Sequence, residues 1–202
     1  MNNRSFRRFI AAQSTLFFAS NFIFPFYILF INNVGTSFSQ FGISYGLFGL
    51  SAALVHPLLG HISGKINDKV ILAVSSVGMA FLLLYYPHIG TISEVYVCQI
   101  LMGIFGAMQK HGEKMLLSQW TNEEKRGVQI ANYHFWTSLM AAAAIIGGGF
   151  LAQYFTITLL FFIASAIYFA SGIFVLKIKD SYFEKEQKVA DHANSAASHH
   201  EA

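Results

Sequence analysis

Between Glu94 and Trp120 the chain reads EVYVCQILMGIFGAMQKHGEKMLLSQW, an apolar stretch long enough to cross a bilayer. Its second half nonetheless carries Gln109, Lys110, Glu113 and Lys114. At about 100° per residue, Gln99, Gly103, Gly106, Lys110 and Glu113 fall on one narrow stripe. A charge at the middle of a bilayer costs about 3 kcal/mol on insertion scales, so such a residue normally faces protein or a water-filled cavity. In a functional reading Lys110 offers a cation to an anionic solute or holds Glu113 ionised. Glu113, the only acid inside an apolar span, then exchanges a proton as the solute binds. The competing reading puts the segment from Gln109 at the cytoplasmic interface. There Lys110 and Lys114 reach to water and pair with Glu113 along the helix.

Other polar residues inside apolar stretches are weighed in the same way. Gln13, Asn21 and Gln99 can hydrogen-bond a solute or only bridge helices. Gln129, Asn132 and Trp136 share a face low in the fifth apolar segment and are candidates for a cavity wall. His56, His61, His111 and His134 lie in or beside apolar segments. A histidine there can relay protons, but packing or an interfacial position is the simpler reading. Trp120, Tyr85 and Tyr86 read as members of an interfacial aromatic belt.

No catalytic constellation stands out. The chain has no His-Glu-x-x-His, no phosphate loop, no Gly-x-Ser-x-Gly and no carboxylate pair within an apolar segment. An enzyme is therefore not expected, nor a cofactor. Cys98 is the single cysteine, which excludes an internal disulfide and supplies no metal cluster. His192, His199 and His200, in a polar tail, are a weak metal trap at most. The basic residues mark one side of a membrane, and nucleic-acid binding has no support.

The composition makes the class clear. Of 202 residues, 54% are hydrophobic and 11% are charged, whereas a soluble domain has about 25% charged residues. An all-α integral membrane protein is expected. Six apolar segments approach the roughly 20 residues of a spanning helix: 9–31, 41–62, 70–86, 95–117, 128–150 and 158–178. Residues 1–179 then form one transmembrane domain, and 180–202 a polar, disordered tail. No cleavable leader is apparent, since the Arg-containing N-terminus leads directly into a full-length apolar run. All 13 basic residues fall before the first span, between the second and third, in or after the lower half of the fourth, or after the sixth. The opposite connections carry only Glu94. This bias predicts a multi-pass inner-membrane protein with both termini cytoplasmic.

Polarity is uneven among the spans. The first and fourth carry the polar stripes and are expected to line a cavity. The second presents Gly46, Gly49, Ala53, Pro57, Gly60 and Gly64 on one side, and the fifth Ser138, Ala141–Ala144 and Gly147–Gly149. Small residues at such spacing let helices approach closely in lipid, so these two spans are expected to be close-packing partners. The third and sixth are almost wholly apolar and read as outer, lipid-facing walls. The pattern repeats every three helices, as in an internal three-plus-three repeat.

Three pieces of sequence resemble the N-terminal six-helix half of a Major Facilitator Superfamily transporter. The loop GHISGKINDK from Gly60 to Lys69 resembles the family's loop motif after the second helix. Gly60, Lys65 and Lys69 match it in type, while Gly64 stands where the family has Asp and Asn67 where it has Gly. The segment from Gln99 to Gly127 is similar to the fourth helix and the loop that follows. Its spacing from Gly103 to Glu124, Arg126 and Gly127 agrees, with Gln99 in place of a common Arg and His111 in place of a common Pro. The fifth span's AAAAIIGGGF resembles the Gly-rich fifth helix but lacks its Gly-Pro pair.

The resemblance implies two three-helix repeats and a gating loop drawing on Gly60, Lys65, Asp68, Lys69 and Arg126. It also implies secondary transport of a small solute, possibly with a coupled proton, by alternating access. In the family two such halves share the cavity. One orientation for the whole chain favours a parallel homodimer, or pairing with a second six-helix half. The alternative is a non-transporting membrane subunit or a truncated half-transporter acting through helix–helix contacts.

Overall fold

The structure, a computed structural model, describes residues 3–27 and 37–178. The end of the expected first span (28–31), Lys179 and the tail 180–202 with its histidines lie outside these residues. Among the described residues six α-helices follow one another: α1 (Asn3–Ile23), α2 (Phe38–Ile62), α3 (Asp68–Tyr85), α4 (Ile92–Trp120), α5 (Arg126–Tyr154) and α6 (Ile157–Leu176). Among the described residues there is no β-sheet. Five of the helices, α2 to α6 with their adjoining turns, are long and apolar enough to cross a membrane.

Local chemistry sets the helix starts. Ser37 and Gln40 close a capping box on α2, with the Ser37 hydroxyl accepting from the Gln40 N–H. Thr91 and Glu94 do the same on α4. Glu94, the lone acid of its side, is thus a helix cap: it accepts from the backbone N–H of Gly90 (2.8 Å) and Thr91 (3.3 Å). Asn67 caps α3 by accepting from the Lys69 N–H at 2.9 Å. Between α2 and α3 the chain reverses at Gly64, whose φ of +82° is the left-handed conformation that glycine adopts without a Cβ penalty.

Packing follows a regular scheme. The main pairings are α2 with α4, α3 with α4 and α6, and α1 with α5 and α6. Exchanging α1–α3 with α4–α6 leaves this scheme unchanged, the relation a three-plus-three repeat would show.

Two expectations about the helices do not hold. First, α2 and α5 are not packed on one another; each pairs with a cavity-type helix, α4 and α1 respectively. Second, α3 and α6 are not outer walls. They bury the largest share of their apolar windows, α2 and α5 the smallest. The cause is that a wholly apolar helix reads alike whether it faces lipid tails or protein, because both are equally apolar.

The close approaches are made by glycines. A Cβ on Gly103 of α4 would overlap the Ser51 hydroxyl and the Phe48 carbonyl of α2. On Gly148 of α5 it would lie 3.0 Å from the Phe22 carbonyl of α1, and on Gly112 of α4 3.0 Å from the Asp68 carbonyl of α3.

Candidate functional site

Polar side chains gather at two levels. Toward the N-terminal end of α4, residues of α1, α2, α3, α4 and α6 line a half-open cavity of about 140 Å³, among them Tyr27, Tyr45, Phe48, Gln99, Met102 and Tyr168. Gln99 is almost completely buried at its wall and donates from Nε2 to the hydroxyls of Tyr27 and, at 3.4 Å, Tyr86. Tyr86 donates to the Tyr27 hydroxyl at 3.0 Å and stacks on Phe161 with ring centroids 5.1 Å apart. Tyr86 is fully buried. It is not the interfacial belt residue its position near the end of an apolar run suggested, because its hydroxyl has two internal partners that replace water.

Toward the C-terminal end of α4, Glu113 meets α5. Its Oε1 accepts from the Tyr133 hydroxyl at 2.7 Å. Tyr133 is fully buried, stacked on Phe9 of α1 (centroids 5.7 Å apart) and edge-on to His134 (5.3 Å). Phe9 in turn meets the Trp120 ring edge-on at 5.0 Å, so Trp120 packs inside the bundle with 4% exposure. It too is not a belt residue. Among the described residues Glu113 has no ion pair with Lys110 or Lys114, and both lysines are exposed.

Nearby, the first turn of α3 ties two helices. Asp68 accepts from Gln119 Nε2 of α4 at 2.8 Å, and His111 Nε2 lies 3.8 Å from its other oxygen. Lys69, also buried, donates to the Ile178 carbonyl just beyond α6. A lysine there meets the negative end of the helix dipole.

The remaining candidates are placed apart from these groups. Gln129 Oε1 accepts from the Asn122 N–H at 2.7 Å and so orders the turn before α5. Asn21 Nδ2 donates to the Phe17 carbonyl at 2.9 Å within α1. Asn132, Trp136, Lys65, Gly60 and Arg126 are exposed. Gly46, Gly49 and Gly147 have open space where a Cβ would stand, and Ala53 is exposed, whereas Gly148 sits against α1 and Ala144 is buried in the core. Sequence reasoning missed Tyr27, Tyr133 and Gln119. No spacing signal could have found the first two, since their partners lie 72 and 20 residues away on other helices.

Gln13 is fully buried, and neither atom of its amide has a hydrogen-bond partner. Burying an unpaired amide costs about 1–3 kcal/mol on mutational scales. Gln13→Leu, similar in size, is expected to stabilise the detergent-solubilised protein by about 1–2 kcal/mol. Thermal unfolding of the two proteins side by side measures it, and a lowered midpoint would contradict the account.

The family model for the Major Facilitator Superfamily matches residues 9–198, nearly the whole chain. The chain belongs to the Major Facilitator Superfamily. Relatives bear this out at two lengths. An uncharacterized MFS-type transporter of Bacillus subtilis, YitZ, is 56% identical over 162 residues, covering 80% of this chain and 99% of YitZ. Another from the same organism, YuxJ, is 25% identical over 173 residues, covering 83% of this chain but 42% of YuxJ. The multidrug resistance protein MdtG of Proteus mirabilis is 24% identical over 162 residues, 76% of this chain and 39% of MdtG. The chain thus spans nearly all of YitZ and about two fifths of the longer superfamily members. It represents one half of the superfamily fold.

Proposed function

We propose that this superfamily member is a secondary active transporter of a small solute that works by alternating access as a parallel dimer of six-helix halves. The observation that carries the reading is the pair of lengths just described: this chain covers nearly all of YitZ but only about two fifths of the longer relatives. Two copies in one orientation would rebuild the arrangement of a full-length carrier. The least buried helices, α2 and α5, present the open small-residue faces of Gly46, Gly49, Ala53 and Gly147 to such a partner. The one-sided placement of Lys and Arg supports cytoplasmic termini and a plasma-membrane location. No enzymatic activity and no cofactor are part of the proposal. MdtG is named for multidrug resistance; a small organic solute is the substrate class proposed here.

Within this reading the stretch Gln99 to Glu113 serves both levels. Gln99 binds the solute, and Glu113, held by Tyr133 between α4 and α5, exchanges the coupled proton. Lys110 and the face of Gln129, Asn132 and Trp136 belong to the mouth of the shared cavity. Asp68 and Lys69, with Lys65, Gly60 and Arg126 around them, form the cytoplasmic gate.

Reconstitution into liposomes at two protein densities tests the dimer. Uptake of labelled small organic solutes that rises more steeply than protein density is the expected result. Uptake strictly proportional to density would reject the dimer. Absence of uptake at any density would leave a non-transporting subunit.

A further inference from the structure

We propose that the cavity beside Gln99 in a single protomer is a binding site for a small uncharged aromatic solute bearing a hydroxyl group. As a solute site it rests on the transport reading above, but binding is a property of the cavity alone and is measurable apart from transport. The cavity is half open, and the lining residues named here all belong to one protomer, so binding to them is measurable on the protomer itself.

The walls select for charge first. The polar lining consists of Ser20, Tyr27, Tyr45, Gln99 and Tyr168, and none of the described lining residues is an acid, a lysine, an arginine or a histidine. An ion moved into such a site would lose part of its hydration with no counter-charge to replace it. A neutral molecule loses far less.

Size and surface select next. At about 140 Å³ the cavity compares with an engineered apolar void of about 150 Å³ in another protein that takes up benzene. The rings of Tyr27, Tyr45 and Phe48 and the thioethers of Met79 and Met102 line it. Ring faces, ring edges and sulfur all pack favourably on an aromatic body.

The hydroxyl follows from Gln99. A primary amide has two N–H donors and a carbonyl oxygen that accepts. The nitrogen is engaged by the hydroxyls of Tyr27 and Tyr86. The carbonyl oxygen has no hydrogen bond among the described residues, yet it is not enclosed by protein. A nearly buried amide with one free end at a cavity wall is a hydrogen-bonding site in waiting. A ligand O–H donates to that oxygen, and a hydroxyl would serve equally if the amide were turned over. Tyr86, braced on Phe161 behind the wall, keeps the amide in place.

The test uses the full-length protein in lipid nanodiscs, titrated calorimetrically with four probes: p-cresol, toluene, benzoate and benzylammonium, with empty nanodiscs subtracted. Saturable binding of p-cresol is expected, about 10-fold tighter than toluene, as one hydrogen bond to a buried amide provides. The two ions should show no saturable binding. Gln99→Leu should erase the preference for p-cresol over toluene, and Met102→Trp, which fills the cavity, should abolish binding of both. The proposal is overturned if either ion binds more tightly than p-cresol, or if the preference survives in Gln99→Leu. Binding unchanged in Met102→Trp would also overturn it, because the probes would then be partitioning into lipid. If p-cresol binds but no solute is carried at any protein density, the transport reading fails and the site stands. If other solutes are carried while p-cresol does not bind, the site fails and transport stands.

Discussion

Gly103→Ala is expected to prevent accumulation of the folded protein, whereas Gly49→Ala, a chemically identical change one helix away, should leave the protomer's stability within about 0.5 kcal/mol of the parent. At Gly103 the added methyl would occupy the space of the Ser51 hydroxyl and of the Phe48 carbonyl. The carbonyl is backbone and cannot swing aside, so α4 and α2 would have to separate along their whole crossing. Overpacking of this kind costs about 3 kcal/mol or more, and α4 is the main partner that α2 has. At Gly49 nothing lies within 4 Å of the new methyl. Membrane-fraction yield and thermal unfolding of the two variants decide the matter. If Gly103→Ala is as stable as the parent, the α2–α4 crossing described here is wrong. Any loss in Gly49→Ala should appear only in the density dependence of uptake, since that face is the one proposed to meet a second copy.

Glu113→Gln is the second large effect: proton-gradient-driven uptake is expected to fall to the level of protein-free liposomes while the protein remains folded. The two outcomes separate because a glutamine side-chain oxygen can still accept from the Tyr133 hydroxyl, 2.7 Å away in the parent, but cannot take up or release a proton. Packing between α4, α5 and Phe9 is then preserved and only the titration is lost. Tyr133→Phe provides the complement. It keeps the ring stacked on Phe9 but removes the donor, and leaving a buried acceptor without its partner costs about 1–3 kcal/mol. That variant should lose stability of this order, whereas Glu113→Gln should not. Uptake by Glu113→Gln that matches the parent at every pH would remove Glu113 from the coupling step.

Gly103 and Glu113 were both visible as members of one stripe on the fourth apolar segment, because helical periodicity is a local property. Their partners were not visible. Gly103 looked no different from Gly49, yet one lies in a helix crossing and the other beside open space. Glu113 sat among two lysines and a histidine in its own sequence neighbourhood, yet its carboxylate is held by a tyrosine 20 residues on. Tyr86 looked like a belt residue because it ends an apolar run, and only the approach of Tyr27 and Gln99 makes it an interior hydrogen-bonding group.

What the sequence by itself determined is what depends on composition and short-range order. The scarcity of charge requires a membrane environment, the long apolar runs require helices, the one-sided basic residues imply an orientation, and a few spaced motifs point to the superfamily. What only the tertiary structure decided is who faces whom: α2 on α4 and α1 on α5, α3 and α6 buried together, a tyrosine–glutamine cluster at a cavity, and Glu113 bridged to α5. The physical reason is that inside a bilayer lipid and protein offer the same apolar surroundings. A greasy side chain therefore carries no label for its neighbour, and only shape and the need to pair each buried polar group assign one.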